Sequence, residues 1–191
     1  RTAQVVAAWH RIRKGQEPLP ANVETSHAAA FLEALWGTKP TEYEERMMDM
    51  LLVLHAEHQL NASTFAAREV ASTRAHLYAS VSAGVGALSG PLHGGANAKV
   101  MDMLLGIGSV ENVEGWIKER VEGGQRIMGL GHAVYKTEDP RAQVLRDVAE
   151  KALAGRDEEQ WFKLAIEVER IGRAAIKAKK GLDLYANVDF Y

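Results

Sequence analysis

Glu158-Glu159-Gln160-Trp161-Phe162-Lys163-Leu164-Ala165-Ile166-Glu167-Val168-Glu169-Arg170-Ile171-Gly172-Arg173-Ala174-Ala175-Ile176-Lys177-Ala178-Lys179-Lys180 is the stretch on which the fold class turns. Trp161, Leu164, Val168, Ile171 and Ala175 recur three or four residues apart, which lines one face of an α-helix and no face of a strand. The stretch opens acidic (Asp157, Glu158, Glu159) and ends basic (Lys177, Lys179, Lys180), as the helix dipole prefers. Moving toward the N-terminus, the same signals predict helices over 140–154, 110–122 and 96–106. Asp139 and Ser109 are the expected caps of the first two, Pro140 takes a first helical position, and Gly155 and Gly123 are stops. Residues 63–87, crowded with Ala, Ser and Gly, read as one smooth helix capped by Asn61 or Ser63 and sandwiched between neighbours. Pro40 is expected to open a helix to about His58, striped by Met47, Leu51, Leu54, His55 and His58. Residues 26–36 and 1–14 complete the series, with Ser26 as a cap and Gly37 and Gly15 as stops. With no alternating strand pattern and no internal repeat, the expected fold class is all-α. The Gly-rich segment 88–97 suggests a boundary, with residues 1–95 in one domain and 96–191 in another.

Lys plus Arg number 23 and Asp plus Glu 25, a formal charge of −2, so nothing draws the chain generally to nucleic acid or an anionic membrane. The absence of cysteine excludes disulfides, thiolate nucleophiles and cysteine-based metal sites. The densest apolar stretch, Met47 to Leu54, contains Asp49 and falls far short of the roughly 18 residues of a membrane span. No signal-peptide pattern opens the chain, and a cytoplasmic protein is expected. The sequence begins Arg1-Thr2-Ala3 inside a helical pattern and stops at Asn187-Val188-Asp189-Phe190-Tyr191, so it reads as part of a longer protein.

Three segments carry residues that a merely structural bundle does not need. In Leu54-His55-Ala56-Glu57-His58, the two histidines three apart share a helix face. They serve as polar core groups or as site residues; His-Glu-x-x-His spacing is absent and no metal is expected. In Gly90-Pro91-Leu92-His93-Gly94-Gly95, glycines flank His93 just before a helix, letting a ligand approach the backbone and imidazole together; a flexible linker is the plain alternative. In Gly129-Leu130-Gly131-His132-Ala133-Val134-Tyr135-Lys136-Thr137-Glu138-Asp139-Pro140-Arg141, a histidine again follows Gly-x-Gly. Arg141 there projects from a rigid first turn, suited to a carboxylate or simply to a surface position. With the acidic Asp189, these groups imply acid–base work on an anionic carbonyl compound.

The motifs 55–64, 90–97, 129–141 and 187–191, in this order and spacing, make the chain resemble the citrate synthase family of the shorter prokaryotic type. The resemblance implies an all-helical fold of a large and a small domain, residues 1–95 being the middle of the large one and 96–191 most of the small one. It implies an acyltransferase that forms a carbon–carbon bond, condensing acetyl-CoA with oxaloacetate and water to give citrate and CoA, the entry step of the tricarboxylic acid cycle, in a homodimer. Asp189 would remove the methyl proton of acetyl-CoA, His93 would meet the thioester carbonyl, and His132 would polarise the oxaloacetate carbonyl. His58 and Arg141 would bind oxaloacetate. Leu130, Gly131 and Ala133 would meet the CoA adenine through their backbone, and Lys136 a CoA phosphate. CoA is a co-substrate; no prosthetic group is implied. Leu130 stands where an aromatic residue is frequent in the family, Gln59 where an acid is common, and Ala186 where proline is frequent. Family segments outside these 191 residues supply further arginines, so the piece alone is expected to be inactive. A 2-methylcitrate synthase using propionyl-CoA and a non-catalytic helical dimerisation module are the rival readings.

Overall fold

The structure, a computed structural model, describes residues 2–90, 93–131 and 137–191, which divide into two compact units, residues 1–58 and 59–191. The first unit holds α1 (Thr2–Arg13), α2 (His27–Trp36) and α3 (Glu42–Leu54), with α2 packed on both neighbours. Local chemistry sets their ends. Ser26 Oγ accepts from the Ala29 N–H at 3.1 Å, and Gly37, at φ 83°, closes α2 by donating to Glu33 O. Thr41 and Glu44 form a reciprocal capping box at α3. The helix therefore begins after Thr41, and Pro40 lies outside it rather than opening it. It also ends earlier than expected: His55 is the C-cap, its ring Nδ1 2.7 Å from Leu51 O, and His58 lies beyond the helix. His55 and His58 therefore do not share a helix face.

The second unit holds α4 (Ala62–Ser72), α5 (Leu77–Leu88), α6 (Ala96–Ile107), a 3-10 turn (Val110–Asn112), α7 (Val113–Glu122), α8 (Pro140–Leu153) and α9 (Glu159–Lys180). The expected single helix over 63–87 is broken in two. Ser72 and Thr73 turn their hydroxyls back on Glu69 O and Val70 O, Arg74 adopts φ 63°, and His76 caps a new helix through Nδ1, which accepts from the Ala79 N–H at 3.2 Å. The small residues do permit close approach, but between the two halves. A Cβ on Gly84 would lie 3.4 Å from Ser63 O and 3.5 Å from Ala67 Cβ. Rather than being sandwiched, Phe65, Leu77, Tyr78 and Val85 are exposed in this chain. Ser109 makes no side-chain cap; the 3-10 turn intervenes, and Asn112 Nδ2 donates to Ile107 O.

The core of this unit is the packing of α9 against α6, α7 and α8. Leu164 and Val168 are fully buried with Val113 and Ile117 of α7, each worth about 1.5–3 kcal/mol over an exposed position. Trp161, Ile171 and Ala175 pack at the margin of the same cluster, so the stripe read from the sequence faces inward. Lys179 Nζ donates to Val121 O at 2.6 Å and Glu122 O at 3.0 Å, satisfying carbonyls at the end of α7. Among the described residues no strand forms; a lone antiparallel bridge pairs Leu130 with Ala186.

Candidate active site

The site begins at the first turn of α4. Asn61 caps it, accepting from the Thr64 N–H through Oδ1 at 3.0 Å, and this leaves the Ser63 N–H without a helical partner. That N–H donates to His93 Nε2 at 3.3 Å, and Ser63 Oγ lies 2.7 Å from the same nitrogen. A backbone N–H cannot accept, so Nε2 carries the lone pair, the ring proton sits on Nδ1, and His93 is a neutral imidazole with Nδ1–H as its remaining donor. The chain reaches this position by folding back on the end of α5: the His93 N–H donates to Gly90 O and the Gly94 N–H to Leu88 O, both at 3.0 Å. A Cβ on Gly94 would stand 2.4 Å from Leu88 O, so glycine there serves the turn itself.

The Gly129-Leu130-Gly131 segment is tied to the acidic end of the chain. The Gly131 N–H donates to Tyr185 O at 2.7 Å, and the Asn187 N–H donates to Gly129 O at 2.9 Å. The Asn187 side chain does two further things: Nδ2 donates to Gly131 O at 2.8 Å, and Oδ1 accepts from the Asp189 N–H at 3.0 Å. Asn187 thus joins the glycine segment to the turn that carries half-buried Asp189. Gly129, at φ 78°, lies against Val100 of α6 and against Phe190; a Cβ would stand 2.9 Å from Val100 Cγ2 and 2.5 Å from Phe190 Cδ2. α6 starts three residues after His93, so one packing contact connects the helix behind His93, the glycine segment and the neighbour of Asp189. Leu130 is half-buried, with its Cδ1 over Gly172 of α9, where any Cβ would sit 2.9 Å away. His132, Ala133 and Lys136 lie outside the described residues.

Arg141 occupies the first turn of α8, as expected, but Asp139 is more than a cap. Its Oδ1 accepts from the Arg141 N–H and from Nε, both at 3.0 Å, and its Oδ2 pairs with Nη2 at 2.7 Å. Asp139 is 1% exposed, so this two-pronged pair is desolvated and holds the guanidinium in one orientation through its Nε–Nη2 edge. His58 is half-buried in the other compact unit. Sequence reasoning missed Ser63, Asn187 and the pairing role of Asp139. Only the last had a local signal, an acid two residues before an arginine at a helix start.

The sequence model of the family described as "Citrate synthase, C-terminal domain" matches residues 1–191. The chain is 46% identical over 187 residues to a citrate synthase of Synechocystis, covering 98% of this chain and 46% of that protein. It is 43% identical to citrate synthase 2 of Bacillus subtilis, with 98% and 49% covered. Its fold is similar to the crystal structure of citrate synthase from Pyrobaculum aerophilum, with a TM-score of 0.89, 36% identity, and coverage of 100% of this chain and 47% of that one. It is also similar to the citrate synthase of Thermoplasma acidophilum solved as a ternary complex with carboxymethyl coenzyme A and oxaloacetate, with a TM-score of 0.87, 32% identity, and coverage of 100% and 50%. The chain spans about half the length of the relatives it matches.

Proposed function

The chain belongs to the citrate synthase family, and from that premise we propose that the protein containing it condenses acetyl-CoA with oxaloacetate and water to give citrate and CoA. The observation that carries the reading is the pair of contacts that Ser63 makes, through its N–H and its Oγ, with His93 Nε2. A thioester α-proton is weakly acidic, so a carboxylate removes it efficiently only where a preplaced donor meets the charge growing on the carbonyl oxygen. With Nε2 held by Ser63, Nδ1–H is that donor, and it is neutral, as such a donor works best. Asp189 is the base. His132 donates to the oxaloacetate carbonyl and supplies a proton as the carbon–carbon bond forms. Arg141, held by Asp139, binds a carboxylate of oxaloacetate, and His58 is a second oxaloacetate-binding residue.

CoA meets the backbone of Leu130, Gly131 and Ala133, with Lys136 at a phosphate. Residues 1–95 belong to a large helical domain and 96–191 to a small one, and closure of the two keeps water out until condensation is complete. The protein acts as a cytoplasmic homodimer; among the described residues no helix is long and apolar enough to cross a membrane. The ternary complex of the Thermoplasma relative, with oxaloacetate and a CoA derivative, supports this choice of substrates.

The test is thiol release by the complete protein given oxaloacetate with either acetyl-CoA or propionyl-CoA. Faster turnover of acetyl-CoA, and a loss of a hundredfold or more in His93→Ala, is the expected result. Preference for propionyl-CoA would reassign the substrate. Unchanged turnover in His93→Ala would overturn the mechanism.

A further inference from the structure

Glu169 is the one acidic side chain of α9 that is buried, 5% exposed, and its placement is costly without a purpose, since an apolar residue would fill the same space. Its Oε2 accepts the hydroxyl proton of Tyr191 and lies 3.5 Å from Arg146 Nη1; its Oε1 lies 3.6 Å from Arg173 Nη1. Arg173, one turn on, stacks over the Tyr185 ring at 4.0 Å and pairs with Asp183 at 3.4 Å. The segment 183–191 is thus hung from α9 at both ends. Burial and the neighbouring carboxylate push the Tyr191 phenol upward, so it stays a donor across the working pH range.

Asp189 sits between these two attachments. Upstream, Asn187 holds the turn against Gly129 and Gly131. Downstream, Phe190 is buried at 3% exposure, but an apolar contact does not fix rotation about the chain; the hydroxyl of Tyr191 on a buried carboxylate does. We propose that Glu169, acting through the Tyr191 hydroxyl, is a positioning residue that sets the orientation of the Asp189 carboxylate toward the acyl-CoA methyl group. This rests on the reading of Asp189 as the base. Proton removal is steeply sensitive to misplacement of the base by about an ångström, so loosening one end of the turn slows that step without changing what holds the substrates.

The experiment uses the complete protein, four single variants, Tyr191→Phe, Glu169→Gln, Glu169→Leu and Asp189→Asn, and the double variant Tyr191→Phe with Glu169→Leu, with the fraction folded measured alongside. Tyr191→Phe is expected to lower kcat about tenfold, leave both KM values within about twofold, and raise the isotope effect on turnover of methyl-deuterated acetyl-CoA. Glu169→Gln, whose amide oxygen still accepts from Tyr191, is expected to retain kcat within about threefold. Glu169→Leu should match Tyr191→Phe, and the double variant should add no further loss. Wild-type kcat and isotope effect in Tyr191→Phe, with Asp189→Asn inactive, would overturn the positioning role and leave the base assignment standing. A loss in Tyr191→Phe that merely tracks the folded fraction, with an unchanged isotope effect, would also overturn it. Should Tyr191→Phe fail to fold, a kcat in Glu169→Gln as low as in Glu169→Leu would overturn it. Full turnover in Asp189→Asn would remove both proposals together.

Discussion

Ser63 controls His93 with two different atoms, and they are separable. Ser63→Ala deletes the 2.7 Å hydroxyl contact and keeps the 3.3 Å backbone donor, so the Nδ1–H tautomer persists while the ring is held less firmly. Turnover is expected to fall about tenfold with stability lowered by no more than about 1 kcal/mol. Steady-state kinetics, with imidazole nitrogen chemical shifts to read the tautomer, checks this; a switch to the Nε2–H form would contradict the assignment. Gly129 gives the second residue-level expectation. At φ 78° and with Phe190 and Val100 inside van der Waals reach of any Cβ, Gly129→Ala forces both backbone strain and displacement of a core aromatic ring. A loss of about 2 kcal/mol or more in urea unfolding is expected, with Asp189 displaced along with its neighbour.

Between α4 and α5, Arg74 adopts a left-handed backbone conformation that glycine occupies at no steric cost. Arg74→Gly is therefore expected to leave the helix pair intact and raise stability by up to about 1 kcal/mol, read as a higher melting temperature. The same break shows where the sequence was silent. Ala-, Ser- and Gly-rich helices carry no large apolar stripe to interrupt, so a turn inside one leaves the pattern unbroken; Ser72 and Thr73 alone marked it, and weakly. Caps with a side-chain acceptor, such as Ser26 and Asp139, were legible because their chemistry is local. So was the α9 stripe, because burial follows its period. His93 and Asp189 stood out through their glycine-framed or terminal motifs. Ser63, Asn187 and Glu169 did not, because each acts across 22 or more residues of chain, on His93, Gly131 and Tyr191 respectively, and no short-range pattern encodes such a partner.

At the scale of the molecule, the chain divides into two compact units, residues 1–58 and 59–191. The chain spans about half the length of its relatives, and a dianion held by one arginine already paired to Asp139 is under-neutralised. The 191-residue chain assayed by itself is expected to release no CoA thiol above background, whereas the complete protein does; citrate formed by the short chain would contradict this.

The Leu130–Ala186 bridge closes a circuit of more than fifty residues with two backbone hydrogen bonds flanking it. Neither the Gly131 nor the Asn187 amide proton can meet solvent without releasing the other strand of that clasp. In deuterium oxide the two amides are therefore expected to show the same protection factor once each rate is corrected for its intrinsic exchange, reporting a single opening event that unfastens the glycine segment and the acidic turn together.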